Sequence, residues 1–275
     1  EAEDLNEKLT YHQKSYEIAK QIGDPVQLGA SLSNLGYVYY VLCYLDKAEP
    51  LLREAFELAE NTGRHPSIAT RLNNLGLLHM KRGQHQQAYQ VMRKAYAIDE
   101  ERESVSQLLR AKHLLEISIL LGDQERFQKL FQDAIAYAEK YGLERRRRDV
   151  LILAALNDLL NDRVMESTKR ISVEQLNITK IGQLILRQKR LVFKLILLQK
   201  LQGGSQYLQK RGTAKNVIEQ YLSMELQVPT HRLERNIITG LAWISLGETD
   251  KALDSINSAK ITVEEILSRS PDVYA

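Results

Sequence analysis

Leu-Ser-Asn-Leu-Gly at Leu32–Gly36 returns forty residues later as Leu-Asn-Asn-Leu-Gly at Leu72–Gly76. Working outward, an Ala follows each Gly at twelve residues (Ala48, Ala88) and another at nineteen (Ala55, Ala95). A fixed period of this size marks an array in which each unit buries its apolar face against its neighbours. In the second copy, Ser67–Arg82 carries Ala69, Leu72, Leu75 and Leu78 at helical spacing. Gly83 then closes that helix as a left-handed cap. Gln86–Ile98 reads as a second helix with Ala88, Val91, Met92, Ala95 and Ile98 on one stripe. Small residues at Gly76, Ala88 and Ala95 let two antiparallel helices approach closely.

The pattern extends both ways. Ser15–Gly23 aligns with Ala55–Gly63, and a third unit starts near Ser104 and closes at Gly142. Near the C-terminus Gly240, Gly247, Ala252 and Ala259 reproduce the spacing of Gly76, Gly83, Ala88 and Ala95. Cys43 stands where the second unit has Gly83, which reads as a small turn residue rather than a reactive thiol. Trp243 takes the place of His79 and reads as core. The expected organisation is a regular array over 1–142, irregular helical repeats over 143–232, and a final unit with a capping helix over 233–275. In the middle part, Val150–Leu160 and Ala214–Leu226 read as helices, Ile181–Leu201 as a long amphipathic helix, and 161–180 resists assignment.

These residues resemble the tetratricopeptide repeat, most closely the longer-period repeats of kinesin light chains and of bacterial sensor proteins. The resemblance implies an all-α fold, a right-handed superhelical solenoid of six or seven stacked antiparallel helix pairs. It further implies that the first helix of each pair lines a concave groove. Asn at the positions of Asn34 and Asn74 would then bond the backbone of a bound peptide, for which a carboxamide offers both donor and acceptor. Asn73 is the companion candidate. The competing reading of all three is that they bond neighbouring helices and hold the repeats in register. Helical spacing extends the expected lining to Tyr37, Lys81, Lys112, His113 and Glu116. The run Arg145–Arg148, which reads as the start of a helix, adds Arg148 as a candidate for an acidic segment. The terminal-carboxylate clamp of co-chaperones is disfavoured, because Ser33 and Tyr37 occupy the positions it needs.

Composition sets bounds on function. The net charge of +3 comes from 38 basic and 35 acidic residues. That balance, without aromatic interleaving, argues against nucleic acid. One cysteine excludes an internal disulfide and points to a reducing, cytoplasmic setting. The most apolar stretch, Leu184–Leu201, is interrupted by Arg187, Lys189, Arg190, Lys194 and Lys200, too many charges for a membrane span. No metal-ligand spacing, phosphate-cradling loop or nucleophile motif occurs, so no catalysis and no cofactor are expected. The expected partner is a protein or peptide segment in the groove, with the C-terminal half offering a face for homodimerisation. The alternative reading is the ligand-sensing part of a bacterial regulator resembling peptide-pheromone receptors.

Overall fold

The computed structural model describes residues 5–63, 65–161, 163–170, 211–224, 226 and 228–269. Among them are twelve helices and no strand: α1 (Leu5–Ile22), α2 (Pro25–Val41), α3 (Leu45–Asn61), α4 (His65–Lys81), α5 (His85–Glu101), α6 (Gln107–Leu121), α7 (Gln124–Lys140), α8 (Glu144–Leu160), α9 (Val164–Arg170), α10 (Arg211–Leu222), α11 (Pro229–Ser245) and α12 (Thr249–Arg269). The expected all-α fold of stacked helix pairs is the one found.

The forty-residue period has a simple origin. Helices α2 to α5 each run 17 residues and are joined by three-residue links. Each link contains one residue in the left-handed region: Cys43 at φ 67°, Gly63 at 64°, Gly83 at 73°. Beyond it the next N–H turns back onto the helix, as Tyr44 N does to Tyr39 O at 2.9 Å and Gln84 N to His79 O at 2.9 Å. This closure satisfies carbonyls that the helix end would otherwise orphan. Cys43 is fully buried in that role. At the start of α2, Asp24 accepts from the Val26 N–H at 3.1 Å and Pro25 takes the first turn.

The chain divides into two compact units, Glu1–Gln132 with Ile266–Ala275, and Asp133–Glu265. In the first, each helix from α1 to α6 packs on the next, and α2 also touches α4. Leu52 of α3 is buried in one cluster with Leu75 and Leu78 of α4. Ala69 and Leu72 of α4 pack with Ala95 of α5 in another. Gly36 and Gly76 make the pairing possible. A Cβ at Gly36 would lie 2.9 Å from Leu52, and one at Gly76 would lie 2.4 Å from Met92.

In the second unit α8 packs on α9, and α10 on α11. Asp158, buried at the end of α8, accepts from Arg163 at 2.8 Å and from Arg170 at 2.5 Å. Trp243 sits in a core with Ile218, Tyr221, Ala242, Leu246 and Ala252. The helix read over Val150–Leu160, with Arg145–Arg148 at a helix start, is found as one helix over Glu144–Leu160. The helix expected over Ala214–Leu226 is displaced to Arg211–Leu222. The expected helix Ile181–Leu201 lies outside the described residues.

Candidate functional site

The first helices of successive pairs, α2, α4 and α6, carry the candidate residues of the first unit. Their forty-residue equivalence places like positions side by side, and the side chains bond along that row. His113 Nδ1–H donates to Asn73 Oδ1 at 2.8 Å, forty residues away. Asn74 Nδ2 donates to Ser33 Oγ at 3.0 Å. Arg110 reaches Thr70 Oγ1 at 3.4 Å, and Lys81 Nζ donates to the Tyr40 carbonyl at 3.0 Å.

The candidates therefore separate into two sets. Asn34 is exposed, and Tyr37 is 43% exposed with its ring 5.7 Å from that of Tyr40. Asn74, Lys81 and Glu116 are half-buried. Asn73 and His113 are each only 4% exposed, and Lys112 is buried beside Glu116 at 3.3 Å. Asn73, Lys112 and His113 were expected on the groove lining. The structure instead makes them interior, with Asn73 and His113 tying α4 to α6. Burying a carboxamide is tolerated only with its hydrogen bonds made, and the neighbouring helix supplies one. Sequence spacing could not separate the sets, because Asn73 and Asn74 are adjacent and the choice of the inward one depends on how α6 lies.

Electrostatics sharpen the picture. Burial pushes the Lys81 ammonium below its ordinary pKa, and the neighbouring Cys43 opposes that shift. The Lys81 ammonium also lies 4.4 Å from the centre of the Tyr40 ring. One residue was missed: Arg71, one turn before Asn74 on the same stripe of α4. Its Nε is buried without a hydrogen-bond partner, and burial lowers its pKa. The available signal was its i, i+3 spacing from Asn74. In the second unit, Arg148 is half-buried, and its Nε likewise has no hydrogen-bond partner. Its neighbour Arg147 pairs with Glu139 at 3.3 Å and Glu144 at 3.6 Å.

Residues 27–101 match the family model of the tetratricopeptide repeat. No curated protein sequence matches the chain. Three of the solved structures that share its fold are similar over most of its length. A Rap protein complexed with Competence and Sporulation Factor has a TM-score of 0.69 at 11% identity, covering 95% of this chain and 70% of that one. NprR in complex with its cognate peptide NprX has a TM-score of 0.56 at 13% identity, covering 100% and 84%. BtubC (BKLC) from P. vanneervenii has a TM-score of 0.53 at 16% identity, covering 95% and 91%. The fold is thus of the tetratricopeptide-repeat kind. No described helix is long and apolar enough to cross a membrane.

Proposed function

We propose that the first-helix face of the first unit binds an extended peptide or protein segment and performs no chemistry. The observation that carries this reading is the pair Asn34 and Asn74. They occupy equivalent positions one repeat apart on helices that touch, Asn34 exposed and Asn74 half-buried. Arg71, one turn before Asn74, adds a half-buried cation, which suits an acidic side chain or carboxylate of the guest. Tyr37 supplies an exposed aromatic face beside them. The Rap and NprR structures support the reading, since both were solved with a bound factor or cognate peptide.

The ligand-sensing reading has its own support in the Asn74–Ser33 bond. A guest that takes the Asn74 amide competes with the tie between α2 and α4. Binding would then alter how adjacent repeats stack, as a sensor requires.

Random heptapeptides displayed on phage and selected on the whole chain test the proposal. Enriched peptides should be acidic, and should lose binding to the Asn34→Ala, Asn74→Ala double variant while its helical circular dichroism at working temperature is retained. A selection that enriches nothing, or peptides held equally by the variant, overturns it.

A further inference from the structure

A cleft of about 380 Å³ opens between α3, α4 and α5. Its floor is apolar. Leu72 and Leu75 of α4 are buried there, and Phe56 of α3 and Val91 of α5 lie half-buried beside them. Leu72 and His79, both lining the cleft, stand about 160° and about 140° around α4 from Asn74. The cleft is therefore on the other side of α4 from the proposed groove.

The neighbouring repeats close the same gap. One repeat earlier, Gln13 and Tyr39 stand where this cleft has Arg53 and His79, and Gln13 Nε2 donates across to Tyr39 Oη at 3.1 Å. One repeat later, Tyr96 stands in the place of Phe56. Its ring is only 2% exposed, and its hydroxyl accepts from Gln107 at 3.0 Å. Between α3 and α5 the flanking side chains instead turn away from each other. Arg53 donates to Glu49 of its own helix at 2.8 and 2.6 Å, and His79 Nδ1–H donates to Gln84 Oε1 at 2.7 Å. The gap over the apolar floor stays open.

The rim carries charge in a fixed order. Lys94 is the equivalent of Glu54, so it stands level with Arg53 across the cleft. Glu57 and Glu60 follow Arg53 on α3 by one and two turns. The exposed side chains of Lys94, Glu57 and Glu60 have no hydrogen-bond or ion-pair partner among the described residues. The cationic end and Glu60 are about 10 Å apart along the helix. An extended chain of about three residues spans the same distance. We infer that the cleft binds a short apolar peptide of about three residues with free termini. Its carboxylate meets Lys94 and the exposed Arg53, its ammonium meets Glu57 and Glu60, and its side chains cover Phe56, Leu72 and Val91. The cleft's volume is at the small end for ligand sites, which fits a guest of this size.

The test titrates Leu-Leu-Leu with free termini into the whole chain and follows amide NMR shifts. The shifts should saturate and map to α3, α4 and α5. Serine at the central position of the peptide should weaken binding about tenfold. Amidating the peptide's C-terminus should weaken it several-fold on the native chain and have no further effect on Lys94→Ala. Acetylating its N-terminus should behave likewise with the Glu57→Gln, Glu60→Gln variant. The Asn34→Ala, Asn74→Ala variant should bind the peptide normally, which separates this site from the proposed groove. Absence of saturable shifts overturns the inference, as does equal binding of the peptide blocked at both ends. Shifts that disappear in the Asn34→Ala, Asn74→Ala variant also overturn it, since the peptide would then lie in the groove.

Discussion

Asn73 and His113, forty residues apart in the chain, are joined by a 2.8 Å hydrogen bond inside the stack of first helices. The bond reaches across one repeat period, so it reports register directly: a slip of one residue would break it. Asn34, at the position equivalent to Asn74, stays exposed. Asn73→Ala should therefore destabilise the chain by about 1–3 kcal/mol, because it removes a buried hydrogen bond to the His113 Nδ1–H. Asn34→Ala should stay within about 0.5 kcal/mol of the native chain. Urea unfolding of both variants measures the contrast.

The glycines at the middle of the first helices should not respond alike to alanine. A Cβ at Gly36 meets Leu52 at 2.9 Å, and one at Gly76 meets Met92 at 2.4 Å. Both partners are buried, so Gly36→Ala and Gly76→Ala should each cost about 1–3 kcal/mol. At Gly240 the nearest atom, on Ile256, is 3.4 Å away. There Gly240→Ala should be neutral or gain about 0.5–1 kcal/mol from helix propensity. Thermal melts of the three variants decide the matter.

Asp99 and Arg110 form an interior ion pair between α5 and α6, Oδ2 to Nε 3.3 Å, with both side chains 5% exposed. Burial raises the Asp99 pKa against the opposing pull of Arg110. Asp99→Leu alone should cost about 3–5 kcal/mol, because it removes the carboxylate that faces the buried Arg110 guanidinium. Asp99→Leu with Arg110→Met should recover most of that loss. A double-mutant cycle in denaturant gives the coupling.

Glu49 behaves oppositely. Burial would raise its pKa, but hydrogen bonds from Arg53 and Arg82 outweigh it and leave the net value lowered. A lowered folded-state pKa contributes stability above the ordinary value of 4.5, and that stability is lost as pH falls through the folded value. The melting-temperature advantage of the native chain over Glu49→Gln should be present at neutral pH and should vanish well below 4.5.

Glu103 sits at φ 48°, in the left-handed turn position that Gly63 fills at 64° one repeat earlier. An L side chain there costs about 1–2 kcal/mol of backbone strain. Its side chain is exposed, and a carboxylate held in water contributes little through its ionic neighbours. Relief of strain should therefore dominate, and Glu103→Gly should raise stability by about 1 kcal/mol. A gain in denaturation midpoint checks it.

The period itself was legible because helix length and turn chemistry are local. Seventeen helical residues and a left-handed closure repeat at fixed spacing, and the small residues that permit close packing announce themselves. Trp243 in the core followed from its alignment with the repeat. The end of α10 was less legible: the apolar rhythm of Ala214–Leu226 runs past Leu222, where the helix stops.

The amino-acid sequence alone determined that this chain is all-helical, where its helices turn, and which residues occupy equivalent positions in successive pairs. Only the tertiary structure decided that Asn73 and His113 face each other while Asn34 faces outward, and that Ile256 is exposed where Met92 is covered. The physical reason is that periodicity fixes a residue's angle about its own helix, whereas burial depends on whether another helix lies across that angle.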